Sequence, residues 1–107
     1  MTPFERERLR LKSEIFKAMG HPIRLGIIEF LQDNEKCVCE IVEHVGTEIS
    51  NVSKHLSILK KVGILANRRD GLKIMYSLVM PCALDFGRCV ENVVIQRLEN
   101  QRAVMVA

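Results

Sequence analysis

The amino-acid sequence predicts a mainly α-helical protein with one small β-hairpin, in the order α-α-α-α-β-β-α. Five segments repeat apolar residues every three or four positions, which is typical of amphipathic helices. Gly20, Gly46 and Gly63 each follow one of these segments, and glycine commonly ends a helix. Between the fourth and fifth segments, Asp70-Gly71 separates two short apolar stretches, which is a strong hairpin signal.

The first two helices are predicted on either side of Gly20. The first covers about residues 4–19, because its apolar side chains recur at helical spacing among many charges: Leu9, Leu11, Ile15, Phe16 and Met19. The second begins at His21-Pro22, since proline is favoured in a first helical turn, and continues to about residue 32.

The third and fourth helices form a closely spaced pair. CVCEIVEHVG, residues 37–46, predicts a short helix that Gly46 closes. TEISNVSKHLSILKKVG, residues 47–63, predicts a longer helix with Val52, Leu56 and Leu59 on one apolar stripe.

A hairpin and a long helix complete the predicted fold. The hairpin covers about residues 64–78, and the last helix follows Pro81 over about 82–100. We expect the tail after Gln101 to fray. A short helix, a turn, a second helix and then a basic hairpin are the layout of a winged helix-turn-helix. The helix-turn-helix would span about 37–62, its second helix entering the major groove and the wing lying on the neighbouring backbone.

Length, charge and cysteine content limit the function classes. A chain of 107 residues is enough for one domain, 1–107, and its net charge of +3 permits nucleic-acid binding. The charged N-terminus has no apolar signal-peptide centre, so we expect a cytoplasmic protein without a membrane partner. In that compartment, four cysteines indicate thiols, metal ligands or redox sensors more than a disulfide framework.

Four segments together cover about residues 18–79: GHPIRLGIIEFL, KCVCEIVEHVG, SNVSKHLSILKKVGIL and RRDGLKIMYSL. In combination they resemble the ArsR/SmtB family of metal-sensing repressors. They resemble the family's second helix, its helix with a Cys-x-Cys metal motif, its recognition helix and its wing. The resemblance implies a homodimer, joined through the helices at about 4–19 and 82–100, that leaves operator DNA when an inducer binds. Glu48 and Ile49 stand where members often have serine and glutamine, a departure that bears on the operator sequence.

The predicted DNA contacts are polar and basic side chains of the recognition helix and the wing. Hydroxyl and amide groups bond phosphates or base edges, and lysine and arginine neutralise phosphates. The set comprises Ser50, Asn51, Ser53, Lys54, His55, Ser57, Lys60, Lys61, Arg68, Arg69 and Lys73. The alternative for the set is a solvated helix face with a charged turn. For His55 the alternative is a structural role under the helix.

Cys37 and Cys39 are the predicted inducer ligands. The N–H groups of a helix start stabilise thiolate, which is the form that arsenic and soft metals bind. In a regular helix, residues two apart point about 200° apart, so the pair shares one ion only where the helix start is unwound. The alternative is that both are small buried hydrophobes. The predicted inducers are As(III) or Sb(III) first, and Cd or Pb second, with no organic cofactor.

A third sulfur ligand is expected because trivalent arsenic and antimony favour three sulfurs. Cys89 on the predicted dimer seam is one candidate, and Cys82 or an exogenous thiol are the others. Cys82 and Cys89 are seven residues apart on one helix, about 10 Å, so they do not bridge each other. The resemblance also includes a zinc site of Asp and His on the last helix. That helix has Asp85 but no histidine, which disfavours zinc or nickel sensing.

Three other functions compete with the metal-sensing repressor. The first is a redox or persulfide switch of the same fold, pairing Cys37 or Cys39 with Cys82 or Cys89. The second is a winged helix that binds only protein. The third is a cysteine–histidine enzyme, which is disfavoured because His44 lies beyond both cysteines and no Gly-rich loop or paired carboxylates are evident.

Overall fold

The computed structural model describes residues 1–106. Over that range the chain folds into five helices and three strands in the order α1, α2, β1, α3, α4, β2, β3, α5. The elements are α1 Pro3–Met19, α2 Pro22–Phe30, β1 Lys36–Cys37, α3 Val38–Val45, α4 Ile49–Lys61, β2 Leu65–Asp70, β3 Lys73–Leu78 and α5 Cys82–Val106. The predicted order of helices and hairpin is confirmed.

A short strand, β1, is the element that the sequence did not predict. It pairs antiparallel with β3, which makes a three-stranded sheet in the order β1-β3-β2. Cys37 stands opposite Met75 in this pairing. The first cysteine of the Cys-x-Cys motif is therefore part of the same sheet as the wing.

Left-handed glycines set two of the predicted boundaries. Gly46 has φ 77° and ends α3, where a residue with a side chain would be strained. Gly71 has φ 62°, and the pairing of Asp70 with Lys73 makes Gly71-Leu72 the two-residue hairpin loop. The turn thus lies one residue beyond the Asp-Gly centre that the sequence indicates.

The core lies between α2, α3, α4 and the start of the wing. Its fully buried large side chains are Ile27, Ile28, Ile41, Val52, Leu56, Leu59 and Ile64. The stripe predicted on the fourth helix is therefore the face that α4 turns to the core. The opposite face of α4 is left free.

The outer helices α1 and α5 keep much of their apolar surface uncovered in one protomer. Phe16 and Phe86 contact edge to face, with 5.1 Å between ring centroids, yet each is about half exposed. Further exposed apolar residues on α5 are Val90, Val93, Val94 and Leu98. The predicted end of α5 near residue 100 is too early, because the helix continues to Val106, where the sequence predicted a frayed tail. Within residues 1–106, no helix is both long and apolar enough to cross a membrane.

Candidate DNA-binding surface and cysteine site

The free face of α4 carries most of the predicted helix contacts. Ser50, Ser53, Lys54 and Ser57 are exposed and recur at helical spacing, so they share one face. Lys60 and Lys61 are exposed in the last turn, where positive charge also suits the helix dipole. Lys61 additionally borders a groove beside Leu11 of α1.

Asn51 is half-buried and faces its own helix start. Its amide donates a hydrogen bond to the Thr47 hydroxyl, with Nδ2 and Oγ1 3.4 Å apart. The N-cap of α4 is Glu48, whose side chain makes no capping hydrogen bond. Asn51 therefore orients the turn between α3 and α4, and its amide is partly committed before any DNA arrives.

His55 lies under α4 at only 5% exposure. Arg24 Nε donates to His55 Nδ1 at 3.0 Å, and the ring of His21 lies 4.5 Å from that of His55 between centroids. Burial lowers the pKa of His55, and the positive charges of His21, Arg24 and Lys54 lower it further. The position fits the structural alternative and does not fit the predicted DNA contact, because the ring is committed inside the fold.

The wing presents Arg68, Arg69 and Lys73 as exposed side chains. Arg68 forms a two-fold ion pair with Glu35, in which Arg68 Nε donates to Glu35 Oε2 at 3.0 Å and Arg68 Nη2 donates to Oε1. The hydrogen bond from Arg68 lowers the pKa of Glu35, and the same bond raises that of Arg68. Arg68 pairs with Met75 and Arg69 with Ile74, so the two arginines point to opposite faces of the wing.

Cys37 and Cys39 converge because the chain is extended at Cys37. This residue has φ −75° and ψ 160° and is the N-cap of α3, so it lies outside the helix. The pair is joined by a disulfide bond with 5.4 Å between Cα atoms, in contrast to the opposed directions of a regular helix. Cys37 is buried and Cys39 is exposed. Cys37 Sγ also accepts a hydrogen bond from the Glu40 N–H at 3.4 Å.

A groove connects the cysteine pair to the predicted DNA surface. We call it the cysteine groove; both cysteines line it together with Val38, Ile49, Ser53, Leu56, Leu72, Lys73, Ile74 and Tyr76. Ser53 and Lys73 belong to the predicted DNA contacts, one on α4 and one on the wing. The groove therefore brings the predicted inducer ligands and part of the predicted DNA surface to one place.

Cys82 and Cys89 lie elsewhere. Both are exposed free thiols on α5, a helix that packs against α2 near Leu25 and Ile28. Across residues 1–106, no three His, Cys, Asp or Glu side chains are grouped so that they could hold a metal ion. One protomer thus brings together two of the predicted ligands, Cys37 and Cys39, and leaves the candidate third ligands apart from them.

Several residues of this region could not be assigned a role from the sequence. Glu35 binds Arg68 across 33 residues, and no local pattern indicates that contact. One wall of the groove could be recognised in part from the sequence, because Ile74 and Tyr76 are two residues apart on β3 and therefore share one face of the hairpin. These wing residues line a groove only because the tertiary fold places Ile49 of α4 opposite them.

The comparisons with known proteins agree with the fold. Residues 21–66 match the family model described as bacterial regulatory protein, arsR family. The regulator Rv0081 of Mycobacterium tuberculosis, described as an uncharacterized HTH-type transcriptional regulator, is 35% identical over 97 residues, 90% of this chain and 85% of the relative. The chain belongs to the ArsR family. ArsR-family proteins are DNA-binding transcriptional regulators, so it is a regulator rather than an enzyme.

Solved structures and a further relative extend the comparison. The crystal structure of Rv0081 superposes with a TM-score of 0.73, covering 94% of this chain and 98% of that one, at 32% identity. The winged helix-turn-helix domain of Mb0332 from Mycobacterium bovis, described as homodimeric, has a TM-score of 0.78 and 24% identity and covers 94% and 93%. The probable mercury resistance operon repressor of Streptomyces lividans is 37% identical over 81 residues, 73% of this chain and 65% of the relative.

Proposed function

We propose that this ArsR-family protein is an operator-bound repressor released when Cys37 and Cys39 bind a thiophilic inducer. The preferred candidate for the inducer is As(III) or Sb(III), and the next candidate is a soft divalent metal such as Cd or Pb. The observation that carries the proposal is the cysteine groove, which Cys37 and Cys39 line together with Ser53 of the recognition helix and Lys73 of the wing. The name of the Streptomyces lividans relative adds mercury to the ions worth testing.

The sheet supplies a route from the cysteines to the wing. Cys37 pairs with Met75 of β3, and Glu35, two residues earlier, holds Arg68 of β2. An inducer that moves Cys37 therefore moves β1, which pairs with β3, and with it the neighbouring Glu35, which holds Arg68 of β2. Coupling between two sites of this kind is typically about 1–3 kcal/mol, which corresponds to about a 5–150-fold change in affinity.

The DNA-binding form uses the free face of α4 and the wing, in a dimer. Ser50, Ser53, Lys54 and Ser57 would face the major groove, and Arg69 and Lys73 the adjacent backbone. The uncovered apolar faces of α1 and α5 support a dimer through those helices, including the seam that carries Cys89. A third sulfur for a bound ion would then come from Cys82 or Cys89 of either protomer, or from a cellular thiol.

One observation favours a second candidate function, a thiol redox switch. Cys37 and Cys39 are bonded to each other, so oxidation would join this pair rather than one of them to Cys82 or Cys89. Two thiols would pass two electrons and two protons to a peroxide, which leaves as water and alcohol or as two waters. This switch acts on the same groove and the same DNA surface.

The test is an anaerobic titration of fully reduced protein bound to DNA from upstream of its own gene. Arsenite, antimonite, cadmium, lead and mercury are added separately, then a peroxide, and DNA release is followed by fluorescence anisotropy. The C37S/C39S protein is the test variant, because serine retains a capping oxygen at position 37. The C82S/C89S protein is the matched control.

We expect a thiophilic ion to release wild type and the control but leave the test variant bound. Release by peroxide alone would replace the metal-sensing proposal with the redox switch. Release of the C37S/C39S protein at the wild-type concentration would contradict both candidates, because neither can act without these thiols. Loss of release in the C82S/C89S protein would identify the third ligand on α5.

A further inference from the structure

A second groove lies between α1, the first turn of α2 and the end of α4. Its volume is about 670 Å³, within the range that small ligands occupy. We call it the α1–α4 groove and define it by Leu11 and Ile15 of α1, Arg24 of α2, and Ile58 and Lys61 of α4. It shares no lining residue with the cysteine groove, so the proposed inducer site does not account for it.

The two long sides of the α1–α4 groove are apolar. Leu11 and Ile15 are four residues apart on α1, so they share one face of that helix. Ile58 and Val62, also four residues apart, line the opposite side at the end of α4. Leu11 keeps 49% of its surface exposed, and the other three side chains are half-buried. Apolar surface left open in this way is covered favourably by an apolar group.

Basic side chains also line the groove, and they outnumber the acidic ones. Lys17 of α1 and Lys61 of α4 are both exposed, and neither forms an ion pair within residues 1–106. Glu14 contributes a carboxylate, but its charge is matched by Arg10, with Nη1 2.6 Å from Oε1. The groove therefore has an excess of positive charge beside its apolar sides, which complements an anion that carries an apolar group.

Arg24 is held in place at the α2 side of the groove. Its Nε donates to His55 Nδ1 at 3.0 Å, and its Nη1 donates to the Ala18 carbonyl oxygen at 3.3 Å. Among residues 1–106, no hydrogen bond forms from Nη2, so donors of the guanidinium remain for a ligand. A half-buried arginine that is already oriented loses little further freedom when it binds a carboxylate.

We propose that the α1–α4 groove is a second effector site, which takes a free small carboxylate with an apolar alkyl or aryl group. The carboxylate binds Arg24 and the two lysines, Lys17 and Lys61. The apolar group lies between Ile15 and Ile58. Binding is non-covalent and needs neither Cys37 nor Cys39, so this site is separate from the proposed inducer site.

Occupation of the α1–α4 groove would lower DNA affinity in two ways. Lys61 is one of the predicted phosphate contacts, and a carboxylate beside it offsets its charge. Arg24 bonds His55 on α4, so a ligand that draws Arg24 also acts on the recognition helix. The two grooves reach α4 at opposite ends, because Ile49, its first residue, borders the cysteine groove and Lys61, its last, borders this one.

The test measures binding of octanoate to fully reduced, DNA-free protein, with octanol and octylammonium as neutral and cationic ligands of the same chain length. Backbone amide shifts in NMR titrations give both the affinity and the place of binding. The K17Q/K61Q protein removes two groove lysines. K12Q/K60Q is its matched control, because it removes one exposed lysine from each of the same helices outside the groove.

We expect octanoate to bind at least about tenfold more tightly than octanol or octylammonium, since only the carboxylate pairs with the basic side chains. K17Q/K61Q should lose at least about tenfold in octanoate affinity, and K12Q/K60Q should bind as wild type does. Equal losses in the two variants, or octanol binding as tightly as octanoate, would overturn the proposal. Absence of binding, which includes a groove covered by the partner protomer, would overturn it too.

The apolar side of the site has its own variant pair. L11S removes an exposed leucine that lines the groove, and L9S removes an exposed leucine of α1 that does not. We expect L11S to weaken octanoate binding and L9S to leave it unchanged. The largest amide shifts should fall near Ile15 and Ile58. Shifts confined to another part of the protein would place the site elsewhere and contradict the assignment.

DNA release is measured by fluorescence anisotropy in wild type and in the C37S/C39S protein. Sodium acetate at the same concentration corrects for ionic strength. We expect saturating octanoate to weaken DNA binding by at least about fivefold in both proteins. Unchanged DNA affinity with octanoate bound would overturn the effector role. Release of wild type without release of the C37S/C39S protein would show that the effect needs the cysteine pair, which contradicts a separate site.

Discussion

His55 on α4 is kept neutral by its surroundings. Its folded-state pKa lies below the ordinary value because the ring is buried beside His21, Arg24 and Lys54. The unfolded chain therefore binds a proton first as the pH falls. The contribution of His55 to stability is fully present above about pH 6.5 and declines as the pH falls toward the folded-state pKa.

Replacing His55 with glutamine should remove this part of the pH dependence. At pH 7.5 the H55Q protein should lose about 1–2 kcal/mol of unfolding free energy, because the hydrogen bond from Arg24 is weakened. Between pH 7.5 and 5.5 it should lose less stability than wild type. Urea unfolding of reduced protein at fixed protein concentration measures the unfolding free energy at each pH. H44Q, at an exposed histidine stacked on Phe30, is the control. An equal loss in wild type and H55Q would contradict the assignment.

Cys37 shows what could not be predicted at the level of one residue. The sequence identifies the Cys-x-Cys motif and the chemistry of thiols near a helix start. It does not show that α3 begins one residue later, with Cys37 extended and paired to Met75, 38 residues further along the chain. Convergence of the two sulfurs follows from that strand pairing, which is a tertiary contact without a local pattern.

The wing was predictable as an element because its signals are local. Alternation along β3 and the glycine of the turn are visible in the sequence, whereas the two-residue strand β1 is too short to show a period. The contact of Glu35 with Arg68 could not be predicted for the same reason, because the two residues meet only when β1 joins the sheet. The predicted DNA contacts of the wing, Arg68, Arg69 and Lys73, stay a prediction, and the structure adds Glu35 as the partner of Arg68.

Removal of both wing arginines should lower the salt dependence of DNA binding. We expect R68A/R69A to weaken binding to specific and non-specific DNA alike. The slope of log K against log salt concentration should flatten by up to about two, since each lost phosphate contact removes about 0.9. Anisotropy titrations at several salt concentrations give the slope. An unchanged slope would exclude the wing from the phosphate contacts.

Glu35 should reduce the contribution of Arg68 to DNA affinity. The E35Q protein loses the carboxylate that pairs with Arg68, so the guanidinium is free for phosphate. We expect tighter DNA binding than wild type, with no such gain when E35Q is combined with R68A. Weaker binding in E35Q would mean that the ion pair holds the wing in its DNA-binding position.

At the scale of the whole molecule, the apolar faces of α1 and α5 require a partner. V93D places a charge on an α5 side chain that is 61% exposed in one protomer. We expect this variant to shift the protein from dimer to monomer in sedimentation and to lose DNA affinity, because half-site binding no longer cooperates. V79D, at another exposed apolar position, should remain dimeric. A dimeric V93D protein would move the interface elsewhere.

The central claim is that the cysteine pair and the DNA surface are coupled, and reciprocal binding tests it most directly. The affinity of reduced protein for arsenite is measured with and without saturating operator DNA. We predict that DNA weakens inducer binding by about 5–150-fold, and that inducer weakens DNA binding by the same factor. Equal inducer affinities in the free and DNA-bound protein would contradict the account, because Cys37 and Cys39 would then bind their ligand without reaching the DNA.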